Sequence, residues 1–273
     1  MTDLVRRIGP TSRVRVVESS PDDVEREDQV VAEEPLEIRL AWPEAEPQRA
    51  WVTMRTPGND FELAAGWAFH EGLVGVDSLA EVAYCTDEDL TPEQEFNVVT
   101  LRSLAPVDLG HRHDAMSAGS SACGVCGKDS IEAALSTVRG VRWGGPQPRS
   151  DVVRRLPGQL REEQSVFART GGVHAAGLFT ADGERDVVRV DVGRHNAVDK
   201  LTGARLLAGE PVADAYLVVS GRAGFELVQK AVAAGVGSLV AVGAPSSLAV
   251  HLAREAGLGL FGFTRSERTV RYA

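Results

Sequence analysis

Apolar and polar positions alternate along Pro35-Leu36-Glu37-Ile38-Arg39-Leu40 and again along Ala50-Trp51-Val52-Thr53-Met54, and this period of two predicts a pair of strands. Thr56-Pro57-Gly58-Asn59-Asp60 then supplies a turn and a helix cap. From Phe61 to Glu71 the apolar spacing is helical, and Gly72 ends the run. Further strands are expected at Glu81 to Tyr84 and Phe96 to Leu101. Residues 31–115 therefore read as a small α+β unit. Residues 1–30 are polar and carry an acidic stretch from Ser19 to Glu25, so they read as a flexible extension.

Periodicity is lost between Ala105 and Gly127, where Gly, Ser, Ala and His dominate, so residues 116–130 read as a loop. A helix from Ser130 to Arg139 and a linker at Gly144-Gly145-Pro146-Gln147-Pro148 fill residues 131–150. Residues 151–273 read as one α/β domain. Strands at Val173–Thr180 and Val187–Val190 flank a turn at Ala181-Asp182-Gly183, and a helical run covers Asn196 to Leu207. A βαβαβ succession follows: strand Ala215–Ser220, helix Phe225–Ala234, strand Ser238–Gly243, a helix ending at Ala256, and strand Gly259–Phe263. That order predicts parallel strands with right-handed crossovers, and the fold class is mixed α/β.

The chain has 273 residues, 29 Lys+Arg against 39 Asp+Glu, and a net charge of −10. This balance argues against a general binder of nucleic acid or anionic membrane, although a local pocket can still be positive. No apolar run approaches the length of a spanning helix, the first residues lack the apolar core of a signal peptide, and the cysteine count is three. A cytoplasmic chain with free thiols is the expectation. Only Lys128, Lys200 and Lys230 are lysines, each inside a segment of interest.

Three segments can carry chemistry. In Ser121-Ala122-Cys123-Gly124-Val125-Cys126-Gly127-Lys128 two thiols lie on a glycine-rich backbone, beside an ammonium and ahead of a helix start. Both neighbours favour the reactive thiolate. The pair suits sulfur transfer, a redox disulfide, or half of a zinc site that Cys85 with His111 or His113 would complete. The second feature is three polar turns at the carboxyl ends of the predicted parallel strands: Ser220-Gly221-Arg222-Ala223-Gly224, Ala244-Pro245-Ser246-Ser247 and Thr264-Arg265. Helix starts offer N–H groups to an anion, and arginine adds forked contacts, so the set suits a phosphate-bearing ligand as well as simple capping. The third is Asp191 to Lys200, where Arg194, His195 and Asn196 sit at a strand-to-helix junction; His195 and Asp199 are spaced to pair, as are Asn196 and Lys200. His174 follows two glycines in Thr170-Gly171-Gly172-Val173-His174. A zinc deaminase is excluded, since His174 is followed by alanines and the CxxC precedes it.

The blocks TPGNDFELAAGWAFHEGLV, SACGVCGK, RTGGVHAAGLF, DVGRHNAVDK, VVSGRAGFELVQKA and GAPSSLAVHLAREAGL together resemble the formate dehydrogenase accessory sulfurtransferase family, FdhD, from about Pro35 to Tyr272. The resemblance implies a cytidine-deaminase-like three-layer domain without its zinc, and a homodimer. It also implies a function: sulfur taken as a persulfide from a cysteine desulfurase and passed to the Mo-bis(molybdopterin guanine dinucleotide) cofactor of the formate dehydrogenase catalytic subunit. The cofactor would be bound as a substrate, with no tightly held metal of the chain's own. The family's paired cysteines map onto Cys123 and Cys126, and its cofactor-binding segment onto Phe263-Thr264-Arg265-Ser266-Glu267-Arg268. A cofactor-delivery chaperone with a structural or zinc-binding CxxC is the alternative.

Overall fold

The computed structural model describes residues 8–87, 89–91, 94–109, 142–146 and 148–273. The CxxC segment, Lys128, His111, His113 and the helix expected at Ser130–Arg139 lie outside the described residues.

Residues 11–31 differ from the expected loose extension. They form an antiparallel hairpin of β1 (Thr11–Ser19) and β2 (Asp23–Val31), in register from Thr11 opposite Val31 to Ser19 opposite Asp23. The ion pair of Arg26 with Glu18 (2.5 Å), which lie diagonally across the ladder, shows how a polar sequence still makes a hairpin: charges of opposite sign on neighbouring strands substitute for an apolar face.

The expected strand pair is β3 (Glu34–Trp42) with β4 (Ala45–Arg55). They join β5 (Leu79–Tyr84) and β6 (Val98–Ser103) in a four-stranded sheet of order β4-β3-β6-β5. Helix α1 (Asp60–His70) lies against this sheet, and Gly72 after it adopts φ 73, the left-handed conformation that ends helices.

Two helices precede the second sheet: α2 (Ser150–Glu162) and α3 (Ser165–Thr170). The sheet holds β7 (His174–Phe179), β8 (Arg185–Asp191), β9 (Tyr216–Val219), β10 (Ser238–Ala241), β11 (Gly259–Arg265) and β12 (Arg268–Arg271), in order β12-β11-β10-β9-β7-β8. β9, β10 and β11 are parallel, as the βαβαβ pattern requires; β7 is antiparallel to both β8 and β9. Helices α4 (Arg194–Leu207), α5 (Phe225–Ala234) and α6 (Ser247–Ala256) complete the crossovers.

Side chains sort by strand alternation. Tyr216, Val218, Val240 and Phe261 face α2 through Val152, Val153, Leu156 and Leu160. Leu217, Val219, Leu239, Ala241 and Leu260 face the other way, into a core that also holds Leu227, Leu252, Phe69, Leu36 and Leu101. One continuous core therefore joins the two halves. α1 and α4 cross so closely that a Cβ on Gly66 would stand 1.8 Å from the Asp199 carbonyl oxygen, and one on Gly203 would stand 1.8 Å from that of Glu62. Among the described residues no helix is long and apolar enough to cross a membrane.

Candidate functional site

β8 is parallel to β9, because each is antiparallel to the β7 strand between them. The carboxyl ends of β8, β9, β10 and β11 therefore share one edge of the sheet with the amino end of β7. This edge collects the predicted site residues of the second half: His174 opens β7, Arg194 and His195 follow β8, Ser220 to Arg222 follow β9, Ser246 follows β10, and Phe263 to Arg268 close the β11–β12 turn.

Backbone bonds fuse the three predicted polar turns into one ledge. Gly243 N donates to Gly221 O (2.9 Å), Ser246 N to Ala223 O (3.1 Å), and Phe263 N to Gly243 O (3.1 Å). The glycines are part of this closeness: a Cβ on Gly243 would meet Arg222 Cγ at 2.9 Å and Gly221 O at 3.1 Å. α4 and α5 start from Gly193 and Gly224 with no side chain capping them, so N–H groups of the first turns remain for a ligand. α6 differs, since Ser246 Oγ accepts from Ala249 N (3.3 Å) and the serine acts as a helix cap. Ser220 Oγ likewise accepts from Ala175 N (3.0 Å) and pins the start of β7 to the end of β9.

Arg222, Phe263, Arg265, Ser266, Glu267 and Arg268 are exposed on the ledge. Thr264 is buried beneath them, its hydroxyl 3.0 Å from that of Thr269 across the turn. Phe263 is 40% exposed at φ 50, a left-handed conformation that an aromatic residue rarely adopts, and the Arg268 guanidinium stands 5.5 Å from its ring centroid. Strain that holds an apolar ring in solvent is a feature of ligand sites rather than of cores.

At the other end of the ledge the His174 ring packs on Gly221 and its Nδ1 lies 3.4 Å from Ser220 Oγ. Burial, with Arg194 and His195 close by, pushes the His174 imidazole below its ordinary range, against the opposing pull of Asp191. Arg194 Nε is buried without a hydrogen-bond partner. An orphaned guanidinium nitrogen, uncapped helix starts and exposed arginines together fit a phosphate-bearing group.

The Asp191-to-Lys200 segment divides in two. Only its Arg194 and His195 belong to the ledge. His195 does not pair with Asp199; its Nε2 lies 2.9 Å from Glu226 Oε2, because the first turn of α5 stands beside the first turn of α4. Asn196 and Lys200 do share a strip, but both point inward to Asp191. Lys200 Nζ is 2.7 Å from Asp191 Oδ2 and donates to Thr56 O (2.8 Å), while Asn196 Nδ2 donates to Asp191 Oδ1 (3.1 Å) and to Met54 O (2.9 Å). Asn196 is thus 5% exposed and ties the end of β4 to Asp191 rather than facing the ledge. Burial raises the Asp191 carboxyl, with Lys200 pulling the other way. Asp199 instead meets His70 Nδ1 (2.6 Å) and Lys230 Nζ (2.6 Å). Lys200 and Lys230 are therefore structural, which the scarcity of lysine does not disclose. Cys85 is half-buried with its Sγ 3.5 Å from Arg39 Nη1, and burial raises its thiol.

Sequence reasoning missed Glu226; its signal is position, an acidic residue in a first helical turn next to a histidine-bearing one. The fold and ledge define a mixed α/β protein with an anion-suited edge at the carboxyl ends of its parallel strands.

Comparison with known proteins narrows that class. Residues 31–273 match the model of the FdhD/NarQ family, and the chain belongs to this family. A relative from Streptomyces avermitilis, named sulfur carrier protein FdhD, is 48% identical over 255 residues, covering 91% of this chain and 88% of the relative. One of the same name from Nocardia farcinica is 46% identical over 261 residues, covering 94% and 91%. The fold is similar to a crystal structure of a candidate formate dehydrogenase accessory protein from Desulfotalea psychrophila, with TM-score 0.72, 22% identity and 96% of each chain covered.

Proposed function

We propose that this chain is a sulfur carrier for formate dehydrogenase. It accepts persulfide sulfur from a cysteine desulfurase on the Cys123/Cys126 pair and transfers it to a Mo-bis(molybdopterin guanine dinucleotide) cofactor bound as substrate at the ledge. The observation that carries this reading is the gathering of Arg194, His174, Ser220 to Arg222 and Phe263 to Arg268 on one edge, in a chain whose relatives are named sulfur carrier proteins. The guanine dinucleotide arms supply pyrophosphate groups, which suit the uncapped starts of α4 and α5 and the guanidinium groups of Arg194 and Arg222. Phe263 offers a ring face to a purine, with Arg265 and Arg268 beside it.

Labelling with a cysteine desulfurase and radioactive cysteine tests the sulfur half. Wild type is expected to retain protein-bound persulfide, and Cys123→Ala/Cys126→Ala to retain none. Equal labelling in both sinks the reading, and one stoichiometric zinc per chain favours a cofactor-delivery chaperone in its place.

A further inference from the structure

The second sheet has another edge, opposite the ledge, where β9, β10 and β11 begin and β12 ends. A cavity of about 560 Å³ opens there, a volume that suits a small organic molecule. Its floor is the glycine-rich backbone at Gly235 to Ser238 and Gly257 to Gly259. One wall is the stretch from Arg142 to Pro146, fixed where Trp143 N donates to Gly235 O (2.7 Å). Val232, Val236 and Leu258 give the cavity an apolar side.

Its charge is one-sided. Arg142, Arg254 and Arg271 line it, and the described lining holds no Asp or Glu, although the chain carries a net charge of −10. Arg254 and Arg271 each use Nε within the fold, donating to Tyr272 O (3.1 Å) and Ala273 O (2.9 Å). Their terminal nitrogens, and the whole Arg142 guanidinium, have no partner among the described residues. Helices α5 and α6 end at this edge, and the carbonyl end of a helix attracts cations. Backbone meets that need at four carbonyls: Gly235 N, Val236 N, Gly257 N and Leu258 N donate to Val232 O, Ala231 O, Arg254 O and Ala253 O. Ser238 is 1% exposed, and its hydroxyl has no partner among the described residues. Three guanidinium groups and a buried hydroxyl thus hold donor capacity that the fold itself does not use.

We infer that this cavity is a binding site for an organic phosphate monoester, separate from the ledge. Three cations without a counter-ion match a dianion better than a monoanion, and their forked N–H groups match its oxygens. The Ser238 hydroxyl adds a neutral donor, and the apolar side takes the organic body. Strands of four residues, β9 and β10, put about 13 Å between this edge and the ledge, so the inference does not depend on what the ledge binds.

The probe is phenyl phosphate, a dianion at about pH 7.5 that carries no purine for the ledge. The chain has four tryptophans, and the indole N–H signal missing from the nitrogen–proton NMR spectrum of Trp143→Phe assigns the one in the cavity. Titration should shift that signal to saturation. Arg142 and Arg254 are exposed, and Arg142→Met and Arg254→Met should each weaken affinity by about tenfold, the effect of one charge-assisted hydrogen bond. Arg222→Ala/Arg265→Ala should bind as wild type does. A signal that does not saturate, or an affinity unchanged in Arg142→Met/Arg254→Met, overturns the inference. So does an equal shift with phenol, which lacks the phosphate. A response lost in Arg222→Ala/Arg265→Ala would place the ligand at the ledge, and the inference would fall while the reading of the ledge stands.

Discussion

The α1–α4 crossing sets the position of Arg194 and His195, and one methyl group tests it. In Gly66→Ala the new Cβ would lie 1.8 Å from Asp199 O, 2.7 Å from Asp199 C and 2.8 Å from Gly203 N. An ordinary contact needs roughly 3.5 Å, so the helices must separate by more than an ångström or shear. The obstacle is backbone, which cannot rotate away as a side chain does. Overpacking of a well-filled interior costs about 1–3 kcal/mol, and more where backbone moves. Alanine recovers only about 1 kcal/mol of helix propensity over glycine. The separation also stretches the His70–Asp199–Lys230 contacts, which are 2.6 Å each. A net loss of about 3 kcal/mol is expected, read as the shift in urea midpoint at unchanged slope. Gly203→Ala should match it, since its Cβ would meet Glu62 O at 1.8 Å from the opposite helix. The reasoning is refuted if either variant is within about 0.5 kcal/mol of wild type, the range of a neutral surface change.

Lys200→Met strands the buried Asp191 carboxylate and should cost about 3–5 kcal/mol in the same assay, whereas exposed Arg254→Met should be near neutral. His70 is fully buried with its imidazole held below the ordinary range, first by burial and then by Lys230, against Asp199. The unfolded chain therefore binds this proton first, and stability contributed by neutral His70 falls as pH drops below about 6.5. Asp199 adds in the same direction: burial opposes its charge, yet Lys230 and His70 hold it below the usual carboxylate range, so its contribution is lost at more acid pH still. Urea midpoints in wild type should fall between neutral and mildly acid pH, and the drop should shrink in His70→Asn. Phe263→Gly should leave stability unchanged or raise it by about 1 kcal/mol, because φ 50 costs glycine nothing, while weakening the binding of a guanine nucleotide such as GDP measured by calorimetry. A parallel loss of both properties would mean that the ring packs the fold rather than serving the ledge.

Much of this arrangement is legible in the chain. Phe225 to Ala234 is a helix with the bounds that apolar spacing gives, because no residue in it resists helix and Gly235 stops it at φ 77. The three turns are adjacent because parallel strands in sequence order place their ends together. Helix α2 escaped notice because Pro157 and Gly158 punctuate it, although Val152, Val153, Leu156 and Leu160 trace a buried stripe at helical spacing. β12 escaped because its apolar content is the single Val270, and pairing with β11 rather than pattern makes it a strand. Asn196 illustrates the limit at the site. Helical spacing says which residues share a strip, but whether that strip faces ligand or core depends on Thr56 and Met54, more than a hundred residues away. The hairpin of β1 and β2 is legible only as paired charges, a pattern that composition conceals.

The central claim is that sulfur resides on this chain and then leaves it for a molybdenum cofactor. Its most direct test is a single-turnover transfer. The protein is loaded with radioactive sulfur by a cysteine desulfurase, freed of donor, and mixed with formate dehydrogenase holding the unsulfurated cofactor. The account predicts that label leaves the Cys123–Cys126 peptide and appears on the dehydrogenase cofactor as formate oxidation rises, and that Arg222→Ala/Arg265→Ala loads normally but transfers slowly. Activation that proceeds equally well with the unloaded protein, or with Cys123→Ala/Cys126→Ala, would contradict it.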